Sequence, residues 1–360
     1  MHRTWNTAVV VAGLIFTLGG AASGVDTKPT INDLSDLRGN TAGGTGALQK
    51  NTSGSDNTAF GDAALLNNTT GSDNTAFGYV ALNANNGSNN TASGSFALAN
   101  NADGDDNTAS GFKALLSNTS GVENTATGAN ALYNNNGDDN TASGFQALFS
   151  TTTGFQNTAS GAFALFKNNG HDNTASGYEA LYSTTTGGEN TALGSQALVF
   201  NTTGFANTAS GRGALRANIN GYRNTASGFQ ALLSNTGGAY NTALGTRALL
   251  NTTTGLENLA LGYSAGSNLT SGNNNIYLGH PGLATESLSI RLGKAQTRTF
   301  IAGIFGKTAS GGSQVFINSS GQLGTLVSSA RYKRDIQAMG ERSQGLHRLR
   351  PVTFRYKQDA

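Results

Sequence analysis

Eight acidic side chains each stand immediately before an asparagine, at near-regular intervals: Asp56, Asp73, Asp106, Glu123, Asp139, Asp172, Glu189 and Glu257. Carboxylates in such a row have two chemistries open to them. Stacked ~5 Å apart in water, like charges repel by roughly 0.8 kcal/mol each, which a bound cation relieves. Alternatively, two carboxylates at a set separation hydrolyse glycosidic bonds. Gln156, Ala206, Arg223 and Tyr240 interrupt the row, the G-G-x-G-x-D calcium pattern is absent, and no pair of acids stands apart from the rest. A solvated loop edge is the expected role. The chain has no cysteine, so disulfides, thiolate metal sites and cysteine nucleophiles are excluded. His2, His171, His280 and His347 are scattered without metal-ligand spacing. Gly306-Lys307-Thr308 looks like the end of a phosphate-binding loop, but Ile301 stands where that motif needs glycine, and Ala309-Ser310-Gly311-Gly312 does not open a helix. No cofactor and no metal are expected.

The acids belong to a repeat. Asn-Thr-Ala or a close variant recurs at Asn40, Asn57, Asn74, Asn90, Asn107, Asn124, Asn140, Asn157, Asn173, Asn190, Asn207, Asn224, Asn241 and Asn258, in steps of 16 or 17 residues. The unit reads N-T-A-x-G-x-x-A-L-x-x-N-T-T-G-x-x, as in residues 224–240. Self-similarity at a short fixed period signals a stacked array. A unit this short cannot hold the helix pair of an α-solenoid, which needs at least about 33 residues. Its glycines, asparagines and threonines also disfavour helix. Two short strands fit, one on N-T-A-x-G and one around A-L, with Gly and Asn at the corners. Coils spaced ~4.8 Å apart would make 14 of them a rod of roughly 65 Å. Ala59, Ala76, Ala92 and their equivalents, with Leu65, Leu82 and Leu98 and theirs, must form the core, and stacked Asn side chains can form a ladder along the axis.

This assignment accounts for an odd composition: 50 glycines and only three prolines in 360 residues, 12% charged and 37% hydrophobic. Each coil buries little alone, so stability must come from stacking and from association between chains. The column after the first glycine varies, with Tyr79, Phe112, Phe145, Tyr178 and Phe229 in some coils and Asp62, Ser95, Arg212 and Thr246 in others. A facing chain can use these aromatics, or they are partly exposed on a stem.

Residues 1–23 have the form of a secretory signal. His2 and Arg3 precede an apolar run at residues 8–18, followed by small residues including Ala21 and Ser23. That run is too short for the roughly 20 residues that span a bilayer, and no membrane span is expected after signal removal. A secreted or cell-surface location follows. Residues 24–39 read as a linker and residues 267–327 as an irregular β connector, with strands at 276–278, 288–292, 299–304 and 314–317. The net charge of +2 is uneven. Residues 331–360 carry eight Lys/Arg against Asp335, Glu341 and Asp359, leaving −3 for the rest. These charges alternate with apolar residues rather than forming a basic run, so nucleic acid is not expected as a partner.

Residues 40–266, with N-T-A-x-G followed by A-L, resemble the head repeats of YadA-like trimeric autotransporter adhesins. The resemblance implies a left-handed parallel β-roll, a homotrimer, and binding to a host, matrix or glycan surface. The units here are longer than the family's, which are nearer 14 residues, and the membrane-barrel anchor of autotransporters has no counterpart in the basic final segment. That segment, S-S-A-R-Y-K-R-D-I at residues 328–336 and L-R-P-V-T-F-R-Y-K at 349–357, resembles the opening of the intramolecular chaperone domain of phage tailspikes and endosialidases. That family is a self-cleaving serine peptidase that assembles trimeric β fibres. By position, the resemblance implies Ser328 as nucleophile and Lys333 as general base, with Arg331 and Arg334 lowering the lysine pKa. Ser329 stands where the family has Asp, and only the opening of the domain is present.

The expected fold is therefore all-β: a parallel β-roll or β-solenoid of about 14 coils at 40–266, a β connector, and a short α+β segment at 328–360. The expected function is an exported, adhesin-like trimeric fibre or stalk, chiefly non-enzymatic, with a C-terminal trimerisation and chaperone module. The alternatives are a self-cleaving Ser–Lys peptidase maturing a tailspike-like fibre, a polysaccharide depolymerase, and an ice-binding solenoid presenting Thr58, Thr75, Thr91 and their equivalents. The one-residue variation in turn length counts against a flat ice-binding face.

Overall fold

Two adjacent residues of every unit, the Ala and Leu of A-L, must both point inward, and an extended strand cannot do this because its side chains alternate. The computed structural model describes residues 36–302 and 311–325. It resolves the conflict by making A-L a turn. Ala63 and Leu65 have φ of 58° and 49°, and the same alternation of left-handed residues recurs up the chain, as at Gln146 and Leu148 (53° and 50°). Two successive tight turns bring Ala64 and Leu65 inward together, and both are fully buried. The strand expected around A-L is thus absent. The Leu65 amide nevertheless donates to the Ala81 carbonyl of the next coil at 3.0 Å, so the ladder between coils runs through the turn.

The only strand of each coil is the three-residue T-A-x segment. Strands β1 (Thr41–Gly43), β2 (Thr58–Phe60) and so on to β14 (Leu259–Leu261) stack in sequence order into one parallel sheet. The register pairs Thr with Thr and Ala with Ala from Thr41↔Thr58 to Thr225↔Thr242. The fold is a parallel β-solenoid, and all described elements are strands. The sheet does not end at residue 266. β15 (Ile276–Leu278) and β16 (Ile290–Leu292) extend it to sixteen strands. At ~4.8 Å per strand the sheet is about 70 Å long.

The two glycines of each unit are required for different reasons. Gly144, in N-T-A-x-G, has φ of 138°, and a Cβ there would lie 2.7 Å from the carbonyl carbon of Gly161 in the next coil. Gly137, in the opposite turn, needs no unusual φ, but a Cβ would meet the Gly154 carbonyl oxygen at 1.9 Å. The interior holds three apolar columns, two of Ala and one of Leu, beside two polar columns. In the first polar column the Asn57 Nδ2 donates to the Gly71 carbonyl at 2.9 Å, and the Asn74 amide donates to the Asn57 Oδ1 at 3.0 Å. In the second, the Asn68 Nδ2 donates to the same Gly71 carbonyl (2.9 Å) and to the Asn51 Oδ1 (3.1 Å). Asparagine therefore staples each coil internally and links it to its neighbour, satisfying groups that burial would otherwise orphan.

Sixteen-residue coils lack one residue of the N-T-T-G turn, and a side chain replaces the missing carbonyl. Asn86 Oδ1 accepts from the Thr69 amide (3.1 Å) and hydroxyl (2.6 Å), and Asn136 and Asn169 do the same for Thr119 and Thr152. The length change is absorbed far from the strand, and the sheet register is unaffected.

Residues 297–360 form a second compact unit. Within it, β17 (Phe316–Ile317) and β18 (Leu323–Gly324) pair antiparallel around a turn where Asn318 Oδ1 accepts from the Ser320 and Gln322 amides. Residues 299–302 are not a strand. The signal, residues 24–35 of the linker, and the 328–360 segment lie outside the described residues.

Candidate binding surface

The solenoid offers its solvent-facing columns as functional surface. From β2 to β14 each strand buries only its central Ala, so both flanking residues face outward. The first outward column is thirteen threonines, Thr41 to Thr242, in unbroken register. The second is mostly Ser or Thr, interrupted by Phe60, Phe77, Leu193 and Leu244. Toward the C-terminal end both columns become aliphatic: Leu259↔Ile276↔Ile290 beside Leu261↔Leu278↔Leu292. Leu261, Ile290 and Leu292 are 50%, 68% and 61% exposed.

The acidic row is solvent-exposed, as a loop edge should be. Its positions are left-handed, with φ of 56° at Asp56 and 58° at Glu123, which suits Asp and Asn better than branched residues. Glu123 is held above the ordinary carboxylate range, first by a hydrogen bond with Asp139 and then by the charges of Asp139, Asp106 and Asp138. Among the described residues no set of three acids or histidines is arranged to ligate a metal.

Aromatic rings stack on one another along the axis. Tyr133, Phe149, Phe166 and Tyr182 lie in four successive coils with centroids 5.0, 5.1 and 4.9 Å apart. Phe145, Phe163 and Tyr178, in the column pair beside them, meet edge to face at 5.4 and 6.1 Å. Such contacts favour packing between coils, so an aromatic here has an intrachain role even while half exposed.

The end of the core is closed by a compensated pair of changes, one on each side of the boundary expected at residue 266. Tyr277 occupies the strand position normally held by Ala and is fully buried. Gly266 replaces the core Leu; a Cβ there would stand 2.8 Å from the Tyr277 ring, so its absence admits the ring. Beside the ring, Glu286 accepts from the Leu283 amide (2.8 Å) and from the Arg291 Nε at 2.9 and 2.7 Å. Burial pushes the Tyr277 phenol up, with Glu286 adding to the shift. The buried Tyr277 hydroxyl makes no hydrogen bond of good geometry among the described residues. Burial raises the Glu286 carboxyl, but Arg291, the Leu283 amide and the Tyr277 hydroxyl outweigh that and hold it below the usual range. This cluster is a plug, recognisable in sequence only by reading Ala→Tyr and Leu→Gly in neighbouring coils as one event.

Ser328 and Lys333 lie outside the described residues. Comparison with protein-family models, curated proteins and solved structures found no match.

Proposed function

We propose that this chain is an exported, non-enzymatic fibre or stalk protein whose solenoid associates with two further copies and presents its outer columns to a host, matrix or glycan surface. The observation that carries the reading is the aliphatic end of the sheet. Leu259, Leu261, Ile276, Leu278, Ile290 and Leu292 form two adjacent columns that the described parts of their own chain cover only in part, least of all at Leu261, Ile290 and Leu292. A contiguous apolar patch of a few hundred Å² on a flat surface marks an association site. A closed homotrimer covers such a strip on every copy, and a parallel arrangement would bring the same columns of each chain together. The resemblance to trimeric adhesin heads points the same way. Sedimentation equilibrium of the full chain at micromolar concentration should return three times the chain mass, and Leu261→Lys with Leu278→Lys should lower it to one. A stable wild-type monomer overturns the reading.

One observation favours a second reading. The Thr column keeps its register through every 16-residue coil, so the length variation does not roughen the face. A repeating row of hydroxyls and methyls is a surface on which water can be ordered, so ice is the ligand to test. Phe60, Phe77, Leu193 and Leu244 break the neighbouring column. A purified chain without thermal hysteresis removes this reading.

A further inference from the structure

One left-handed column carries a gap. The residue two before each core Leu of A-L, or one place before the Ala, is Phe96, Lys113, Asn130, Gln146, Phe163, Glu179, Gln196, then Gly213, then Gln230 and Arg247, each at φ between 52° and 66°. Gly213 is the one glycine in this run. Its missing side chain opens a notch of about 200 Å³ between Gln196 in the preceding coil and Gln230 in the next. Arg212, Arg216, Phe229 and Leu233 complete its walls. A Cβ on Gly213 would sit 3.7 Å from Leu233 and 3.8 Å from Gln230, ordinary contacts, so crowding does not demand glycine here, and the left-handed backbone that favours it is borne by side chains in the neighbouring coils.

The walls are chemically mixed. Arg216 lies with its guanidinium carbon 5.0 Å from the Phe200 ring centroid. Gln196 donates its Nε2 to Glu179 at 2.9 Å, leaving its Oε1 as an acceptor. Gln230 accepts from the Arg247 Nε at 3.4 Å, leaving its Nε2 as a donor. Residues 190–256 contain four arginines (Arg212, Arg216, Arg223 and Arg247) and no acid, whereas acids dominate the coils before them. The notch thus combines planar cationic donors, an aromatic ring, an amide acceptor and an amide donor in the only acid-free stretch of that length in the repeat array.

We infer that this notch binds an acidic sugar unit, a uronate of a surface polysaccharide. The Arg212 and Arg216 guanidiniums suit a carboxylate. Phe229 and Leu233 suit the apolar face of a pyranose ring, and the two glutamines suit its hydroxyls, a small set of convergent polar groups on an apolar wall. A sulfate or phosphate ion would use only the arginines. The inference rests on the fibre reading for its choice of a surface polysaccharide, but not on the trimer, which sedimentation tests separately.

The test is calorimetric titration of the full chain with trigalacturonate, with its methyl ester, and with inorganic sulfate. Saturable binding of trigalacturonate is expected, weakened at least tenfold in the ester and weakened further by added salt. Gly213→Gln restores the column residue of both neighbouring coils and fills the notch; it should abolish binding while lowering the thermal midpoint only by the modest left-handed strain that Gln196 and Gln230 already carry. Arg212→Ser, which copies Ser195 of the preceding coil, should weaken binding at least tenfold and decides the matter if Gly213→Gln folds poorly. Binding that survives both variants, an ester that binds as well as the acid, sulfate that binds as tightly as the sugar, or no saturable binding at millimolar ligand each overturn the inference.

Discussion

Left-handed backbone at ordinary residues is the first cost this fold carries. Every core Leu from Leu65 to Leu249 has φ near 50°, and each such residue costs roughly 1–2 kcal/mol relative to the right-handed region. Full burial of the same side chain contributes about 1.5–3 kcal/mol, so the turn is tolerable only because it delivers the Leu to the core. Where a left-handed residue is not buried in the core the cost has no such offset. Ala206, in the acidic row, has φ of 52° and only partial exposure. Ala206→Gly is expected to stabilise by up to about 1 kcal/mol, measured as a shift in urea midpoint, because relief of the αL strain exceeds the entropic cost of glycine. Gly144→Ala has the opposite sign. It adds left-handed strain to a Cβ placed 2.7 Å from the Gly161 carbonyl group, and a loss of at least about 3 kcal/mol should follow. A wild-type midpoint for that variant would refute the stacking geometry.

At the scale of one coil, the asparagine columns decide stability, and one flaw in them can be repaired. The Asn218 Oδ1 accepts from the Asn235 Nδ2 at 2.8 Å, but the Asn235 Oδ1 meets Thr252 in the next coil and has no partner. A buried orphan acceptor costs about 1–3 kcal/mol. Thr252→Asn supplies the Nδ2 that the neighbouring coils supply and should raise stability by about 1 kcal/mol, at the expense of the Thr252 hydroxyl bond to the Leu269 carbonyl (3.2 Å). A variant no more stable than wild type would mean that the threonine already satisfies its coil. Much of this was legible beforehand. Period, parallel stacking, Ala and Leu burial and the Asn ladder all follow from N-T-A-x-G-x-x-A-L. The second strand was misplaced because β-propensity cannot register that Ala64 and Leu65 are adjacent and both buried, which only turns permit. The role of Asn86, Asn136 and Asn169 was hidden because a side chain standing in for a backbone carbonyl leaves no periodic trace.

At the scale of the whole solenoid, the ends are held by charge and the middle by neutral ladders, so acid should unfasten the array from its tips. At the N-terminal end the Asp36 carboxylate takes the place of a preceding Asn, accepting from the Asn40 amide (2.9 Å) and Nδ2 (2.9 Å) and from the Arg38 amide (2.8 Å). The Asn40 side chain and amide hold its carboxyl below the ordinary 3.8. At the other end Glu286 is likewise held below the ordinary 4.5. A carboxylate lowered in the folded state contributes stability that is whole above its unfolded pKa and is lost as pH falls through the folded value. Glu123 has the reverse sign: raised by Asp139, it is relieved when protonated, so the middle of the rod does not weaken on the same descent. Hydrogen exchange corrected for intrinsic rates should therefore show that protection at residues 36–40 and 276–292 declines between about pH 5 and pH 3 while residues 120–180 keep theirs. Asp36→Asn, which retains the acceptor without the titration, should remove the decline at the N-terminal end alone. Uniform loss along the rod, or a decline unchanged in Asp36→Asn, would show that the ends are not held by these two carboxylates.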